Sequence, residues 1–187
     1  MRSLKLILIA GWMLILFAVL HYTLPQTDVV RIVNTDIRRM DFGANAIFYS
    51  SEATASGNVD VRFIEGVDPD GDAAVFRNED TGLGWPFYFK FDSADLQAKA
   101  ADLISTRDDA VWVAVRHYGW RSRLLSAFPN ATRIWRVDGP DVSFFPWLAV
   151  GVFVAIIVAM LALWRMSQLL WRNRIRPLFG GRGGKDV

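Results

Sequence analysis

The chain has 187 residues, 52% of them hydrophobic, no cysteine and a formal net charge of +2. Its mean hydropathy of +0.22 is high for a water-soluble protein. The missing cysteines exclude a disulfide scaffold, and no HExxH, CxxC or G-x-S-x-G pattern points to a metalloprotease, a thiol redox site or a serine hydrolase.

A short start, residues 1–5 (MRSLK), precedes an apolar run over residues 6–24, LILIAGWMLILFAVLHYTL, with no Lys, Arg, Asp or Glu. As a helix it reaches roughly 30 Å at about 1.5 Å per residue, the thickness of a bilayer's hydrocarbon core. A secretory signal peptide starts in the same way, but the exit AVLHYTLPQT is bulky and lacks a small-residue cleavage pattern. The run therefore reads as an uncleaved signal anchor, the first of two transmembrane helices.

Residues 25–143 read as one α+β domain, long enough to form its own core without cross-links. DVVRIVNTDI (28–37) is β-branched and follows Pro25, which stops the first helix. NVDVRFIEGV (58–67) alternates, and DPDGD (68–72) supplies turn chemistry before AAVFRN (73–78), so these segments predict a β-hairpin. NEDTGLG (78–84) reads as a loop. In WPFYFKFD (85–92), Trp85, Phe87, Phe89 and Phe91 occupy alternate positions, which predicts a strand with its aromatic face in the core.

A helix is expected next, capped by Asp92 or Ser93, with Leu96, Ala100, Leu103 and Ile104 as its apolar stripe. AVWVAVRHY (110–118) predicts a central strand, GWRSRLLSAFPN (119–130) a short helix stopped by Pro129, and ATRIWRV (131–137) the last strand. The expected fold is a small mixed sheet or partial barrel with two helices, inserted between two transmembrane helices.

The second apolar run, residues 144–164, also lacks charged side chains, and residues 165–187 form a basic tail. Arg2 and Lys5 precede the first run, and Arg165, Arg172, Arg174, Arg176, Arg182 and Lys185 follow the second. The segment between them carries more acidic than basic residues. The positive-inside rule then places both termini in the cytoplasm and residues 25–143 outside. The tail suits the anionic inner leaflet, and that already accounts for its charge without nucleic acid.

HYTLPQ (21–26), RNEDTGLGWPFYFKFDSADLQAKAADL (77–103), HYGWRSRLLSAFPN (117–130) and DGPD (138–141) resemble a domain-of-unknown-function family of small bacterial inner-membrane proteins. The resemblance implies two transmembrane helices around a periplasmic domain, and it brings no reaction, cofactor or site residues with it.

Chemistry-bearing residues are few. His21 sits beside Tyr22 near the end of the first run, where both suit an interfacial anchor. Asp68, Asp70 and Asp72 alternate as in a calcium loop, but the glycine falls at the fourth position rather than the sixth, and a hairpin turn explains them. The candidate recognition surface is Glu79 and Asp80 together with Arg116, His117, Tyr118, Trp120 and Arg121, since YGWRSR joins aromatic rings to guanidinium forks after a strong strand. No catalytic, metal or cofactor residues stand out. The sequence thus points to a membrane-anchored interaction or accessory module facing a membrane or envelope protein. The alternative is an envelope enzyme or small-ligand binder built on Arg116, His117 and Arg121.

Overall fold

The computed structural model describes residues 2–41, 58–122, 124 and 126–172. The chain divides into two compact units, Met1–Phe145 and Pro146–Val187. In the first unit helix α1 (Arg2–Thr23) runs into strand β1 (Gln26–Asp41), with Pro25 between them. Then follow β2 (Asn58–Val67), β3 (Ala73–Arg77), helix α2 (Ser93–Asp102), β4 (Trp112–Tyr118) and β5 (Asn130–Arg136). The second unit holds helix α3 (Trp147–Leu170). The tail beyond Arg172 lies outside the described residues.

The five strands close into a barrel in the order β1-β2-β3-β5-β4. β1 is long enough to serve both sides of the closure. Its first half, Gln26–Arg31, pairs with β4, and its second half, Arg31–Asp41, pairs with β2. The β2–β3 hairpin forms as expected around 68–72. Asp68 Oδ1 accepts from the Asp72 amide at 2.8 Å, and Gly71 takes the φ of 93° that the turn requires. A five-strand barrel in this order, with a helix between the third and fourth strands, has the connectivity of the OB-fold.

The barrel is filled by side chains. Val30, Ile32, Ile64, Phe76, Val113, Val115, Ala131 and Ile134 form its core, and α2 adds Leu96, Ala100 and Leu103. Three of the four residues in the expected α2 stripe are thus buried, while Ile104, past the helix end, is 44% exposed. The helix takes its cap from a distance. Asp80, not Asp92, accepts from the Ser93 amide at 2.9 Å and from the Ser93 hydroxyl at 2.7 Å.

Two expected elements do not form. Residues 85–92 are not a strand. They run irregularly along the domain surface, with a cis peptide between Trp85 and Pro86. The described residues of 119–130 form no helix either. Gly119 (φ 96°) and Ser126 (φ 46°) leave helical space, and Ser122 and Ala127 form an isolated antiparallel bridge. Among the described residues the fold is therefore α+β with three helices and a closed barrel, and only α2 lies between the two apolar helices. Of those two, α3 is long and apolar enough to cross a bilayer, whereas the apolar part of α1, Ile7–Thr23, is shorter.

One seam of the barrel is thin. β3 and β5 are parallel and share a single register pair, Arg77 with Asn130. The Asn130 side chain extends this seam like an extra strand residue: its Oδ1 accepts from the Glu79 amide at 2.9 Å, and its Nδ2 donates to the Glu79 carbonyl at 3.0 Å. Removing that amide leaves the part-buried Glu79 N–H unpaired and the Glu79 carbonyl with Lys90 alone, at a cost of about 1–3 kcal/mol. Asn130→Ala should lower the denaturant midpoint of the full chain in detergent accordingly, without loss of far-UV strand signal at low denaturant.

Candidate functional site

The β3–α2 connection, residues 78–92, the β4–β5 connection and the end of α1 meet at the barrel's thin seam. Their meeting has two layers. The inner layer is a polar knot. Arg77 and Glu79 form an ion pair at 2.8 Å, with side chains only 4% and 11% exposed. Asn78 is fully buried and donates to the Ser93 carbonyl at 2.7 Å and to Gln97 Oε1 at 2.9 Å. Gln97 passes the network on by donating to the Phe63 carbonyl at 3.1 Å. Into this knot reaches Lys90, whose Nζ donates to Asn78 Oδ1 and, at 3.1 Å, to the Glu79 carbonyl.

Burial governs the acid–base properties of this layer. It pushes the Lys90 ammonium down to about 8, against the pull of Asp80, Asp92 and Glu79. It raises the Glu79 carboxyl, with Arg77 and Lys90 partly restoring the charged form. It also raises the Tyr118 phenol, whose oxygen accepts from Asn130 Nδ2 at 3.0 Å. A lysine and a glutamate perturbed toward neutrality are the kind of pair that often marks a catalytic site. Here both are occupied by partners within the fold, and Lys90 is 5% exposed.

The outer layer is aromatic. Tyr88 stacks on Tyr118 with centroids 4.6 Å apart, and its hydroxyl donates to the Thr23 carbonyl at 2.6 Å. Tyr22 stacks on Trp85 at 5.8 Å and meets Tyr118 and Trp120 edge-on. The Gly119 amide donates to the Tyr22 carbonyl at 2.9 Å, and Trp120 Nε1 donates to His21 Nδ1 at 3.0 Å. The last turn of α1 is thereby stitched to both connections.

Residues 85–91 keep the period of two that the sequence shows, but the faces are exchanged. Pro86 and Lys90 are buried and Tyr88 is half-buried, while Trp85, Phe87, Phe89 and Phe91 are 57–67% exposed. The core is already filled by strand residues and α2, and the knot needs a cationic donor, so the lysine takes the inside. Phe89 adopts a left-handed backbone, φ 49°, between the inward Tyr88 and Lys90. For a bulky residue that costs on the order of 1 kcal/mol, which the anchors on either side offset.

The residues singled out from the sequence are scattered over this region. Glu79 belongs to the knot, and Asp80, although exposed at the surface, caps α2. Tyr118 is buried between the layers. His117 points the other way, into the barrel. It is 4% exposed, its ring packs on Phe76 at 5.2 Å, and its Nε2 meets Asp28 Oδ2 at 2.9 Å. Arg116 lies outside over the Trp135 ring. Arg121 sits 4.2 Å above Phe128 and donates to the Ala127 carbonyl at 3.0 Å. Arg116, His117 and Arg121 therefore do not converge. Trp120, 39% exposed, is part of the aromatic layer rather than the core. Among the described residues no cluster of His, Cys, Asp or Glu is arranged to hold a metal ion.

Asn78, Lys90 and Asn130 organise the knot, and reasoning from sequence passed over all three. The only signal was Lys90 itself, a single cation in a run of aromatic rings.

This seam lies within a span that a known family covers. The family described as "Protein of unknown function (DUF1523)" matches residues 1–171. The chain belongs to that family. An uncharacterized protein of Haemophilus influenzae is 33% identical over 145 residues, covering 78% of this chain and 80% of that protein. No solved structure matches. The match runs through α1, the barrel and α3, so the helices belong to the family's common extent along with the barrel.

The charge inside the knot sets a pH dependence. With its folded value near 8 and its unfolded value near 10.4, Lys90 binds its proton more weakly in the native state. Stability should therefore rise with pH between about 8 and 10, by at most about 1.4 kcal/mol per pH unit. Denaturant titrations of the full chain in detergent at several pH values read this slope. Lys90→Met should remove it and lower the midpoint at pH 7, because Asn78 Oδ1 loses the lysine donor and the Glu79 carbonyl keeps only Asn130.

Proposed function

We propose that this protein is a membrane-anchored accessory module that holds an OB-type barrel on the outer face of a bacterial cytoplasmic membrane, where it contacts a membrane or envelope protein. Both termini lie in the cytoplasm, and the barrel lies in the periplasm. The observation that carries this reading is α3: 24 residues, none of them buried, whose most apolar stretch has a mean hydropathy of 2.6. A helix apolar on every side needs a nonaqueous surrounding. The same holds for α1, where Ile7, Trp12 and Leu14 are 67–73% exposed. The charge pattern supports the orientation, with Arg and Lys concentrated beside the outer ends of the two apolar runs.

Barrels of this connectivity carry oligonucleotides and oligosaccharides on the β2–β3 face. Here that face is covered at Phe63, which packs edge-on against Phe128 at 5.1 Å and lies under the Arg38 guanidinium. An envelope enzyme or small-ligand binder using Arg116, His117 and Arg121 is disfavoured by the divergence of those side chains. Two anchors confine the barrel to the membrane surface and so raise its effective concentration toward neighbours there.

The chain has no cysteine, so single cysteines report topology without background. A membrane-impermeant maleimide should label Asp70→Cys from the periplasmic side and Lys185→Cys only after the inner membrane is opened. The reverse pattern would refute the orientation. A photo-crosslinking residue in place of the exposed Ile37 or Arg133 should capture one reproducible envelope protein. Recovery of uncrosslinked monomer from every position would refute the accessory role.

A further inference from the structure

Phe87, Phe89 and Phe91 fill no part of the core, and the placement of the exposed aromatic run suggests a role in the membrane. Leu83, Trp85, Phe87, Phe89 and Phe91 are 57–76% exposed within nine residues. Contiguous exposed apolar side chains of this size mark a contact surface. The segment is firmly held from behind. Lys90 reaches the knot, the Lys90 carbonyl accepts from the Thr81 and Gly82 amides at 3.1 Å, and Tyr88 reaches the Thr23 carbonyl. Phe87 and Phe89 stack with centroids 6.3 Å apart, which makes a preformed edge rather than a loose flap.

What covers this edge follows from its neighbour. Trp85 stacks on Tyr22, and Tyr88 bonds to Thr23, so the segment lies against the last turn of α1. That turn is where the proposed first span leaves the bilayer. Trp and Tyr concentrate at this depth because their rings tolerate the apolar boundary while their polar atoms reach headgroups and water. Trp120 and His21, bonded to each other at the same helix end, fit the same level. The segment thus adjoins the end of α1 at Tyr22 and Thr23.

We propose that residues 83–91 are a third membrane contact: an aromatic foot that enters the headgroup–acyl boundary of the outer leaflet and seats the barrel in a fixed orientation. The occupant is the lipid surface itself. The inference rests on the membrane anchoring proposed above and goes beyond it, because two spans alone do not determine how the barrel leans.

The test uses the full chain in phosphatidylcholine vesicles, with single cysteines carrying an environment-sensitive fluorophore. Phe87→Cys and Phe89→Cys probe the foot and, being exposed, leave the core intact. Asp70→Cys in the acidic β2–β3 turn is the water control, and Ile157→Cys in the middle of α3 reports the anchoring. The foot labels should lose half or more of their emission when the lipid is replaced by its dibrominated form, and they should resist aqueous iodide, whereas Asp70→Cys does the opposite. Quenching at Ile157→Cys with foot labels open to iodide would overturn the foot and leave the anchoring standing. Foot labels shielded from both quenchers would also overturn it, showing a protein cover. No bromolipid quenching at Ile157→Cys or at the foot would remove the anchoring and the foot together.

Discussion

The buried ammonium of Lys90 is the constraint on which the arrangement around the barrel seam depends. It donates to the Asn78 side chain and, together with Asn130, to the Glu79 carbonyl beside the thin β3–β5 seam. With Lys90 inside, Pro86 is also buried and Tyr88 half-buried, while four aromatic rings face outward. Tyr88 in turn fixes Thr23, so one buried cation links the chain's first helix, the β3–α2 connection and the barrel closure.

Much of the fold was legible because it rests on local periodicity. The bounds of β2 match the alternating run 58–67, and the α2 stripe of Leu96, Ala100 and Leu103 enters the core as its spacing implies. The closure of the barrel was not legible. It depends on Gln26–Arg31 meeting Trp112–His117 across more than eighty residues of chain, and no local pattern encodes that pairing. The stretch 119–130 has the composition of a helix, yet positive φ at Gly119 and Ser126 and a bridge from Ser122 to Ala127 turn it into a loop.

The candidate site was legible in its pieces and inverted in its assignment. The period of two in WPFYFKFD survives in the structure. Counting apolar surface gives the aromatic face to the core, since apolar burial is the dominant favourable term. That count omits the demand of distant polar groups for a cationic donor, and Asn130 lies forty residues from Lys90. Asn78 and Glu79 take part in the knot, and Asp80 caps α2 from the surface. The polar half of the segment folds the domain, and the greasy half is left facing outward. The strand parity of His117 turns it into the barrel, away from Arg116.

The central claim is therefore one of parity: lysine in, phenylalanine out, beside the end of α1. Solution NMR of the full chain in nanodiscs tests it most directly, through nuclear Overhauser contacts from residues 87–90. The account predicts cross-peaks from the Lys90 side chain to Asn78 and from the Phe87 and Phe89 rings to lipid. Cross-peaks from those rings to Val30, Phe76 or Val113, with a Lys90 side chain that contacts only water, would contradict it.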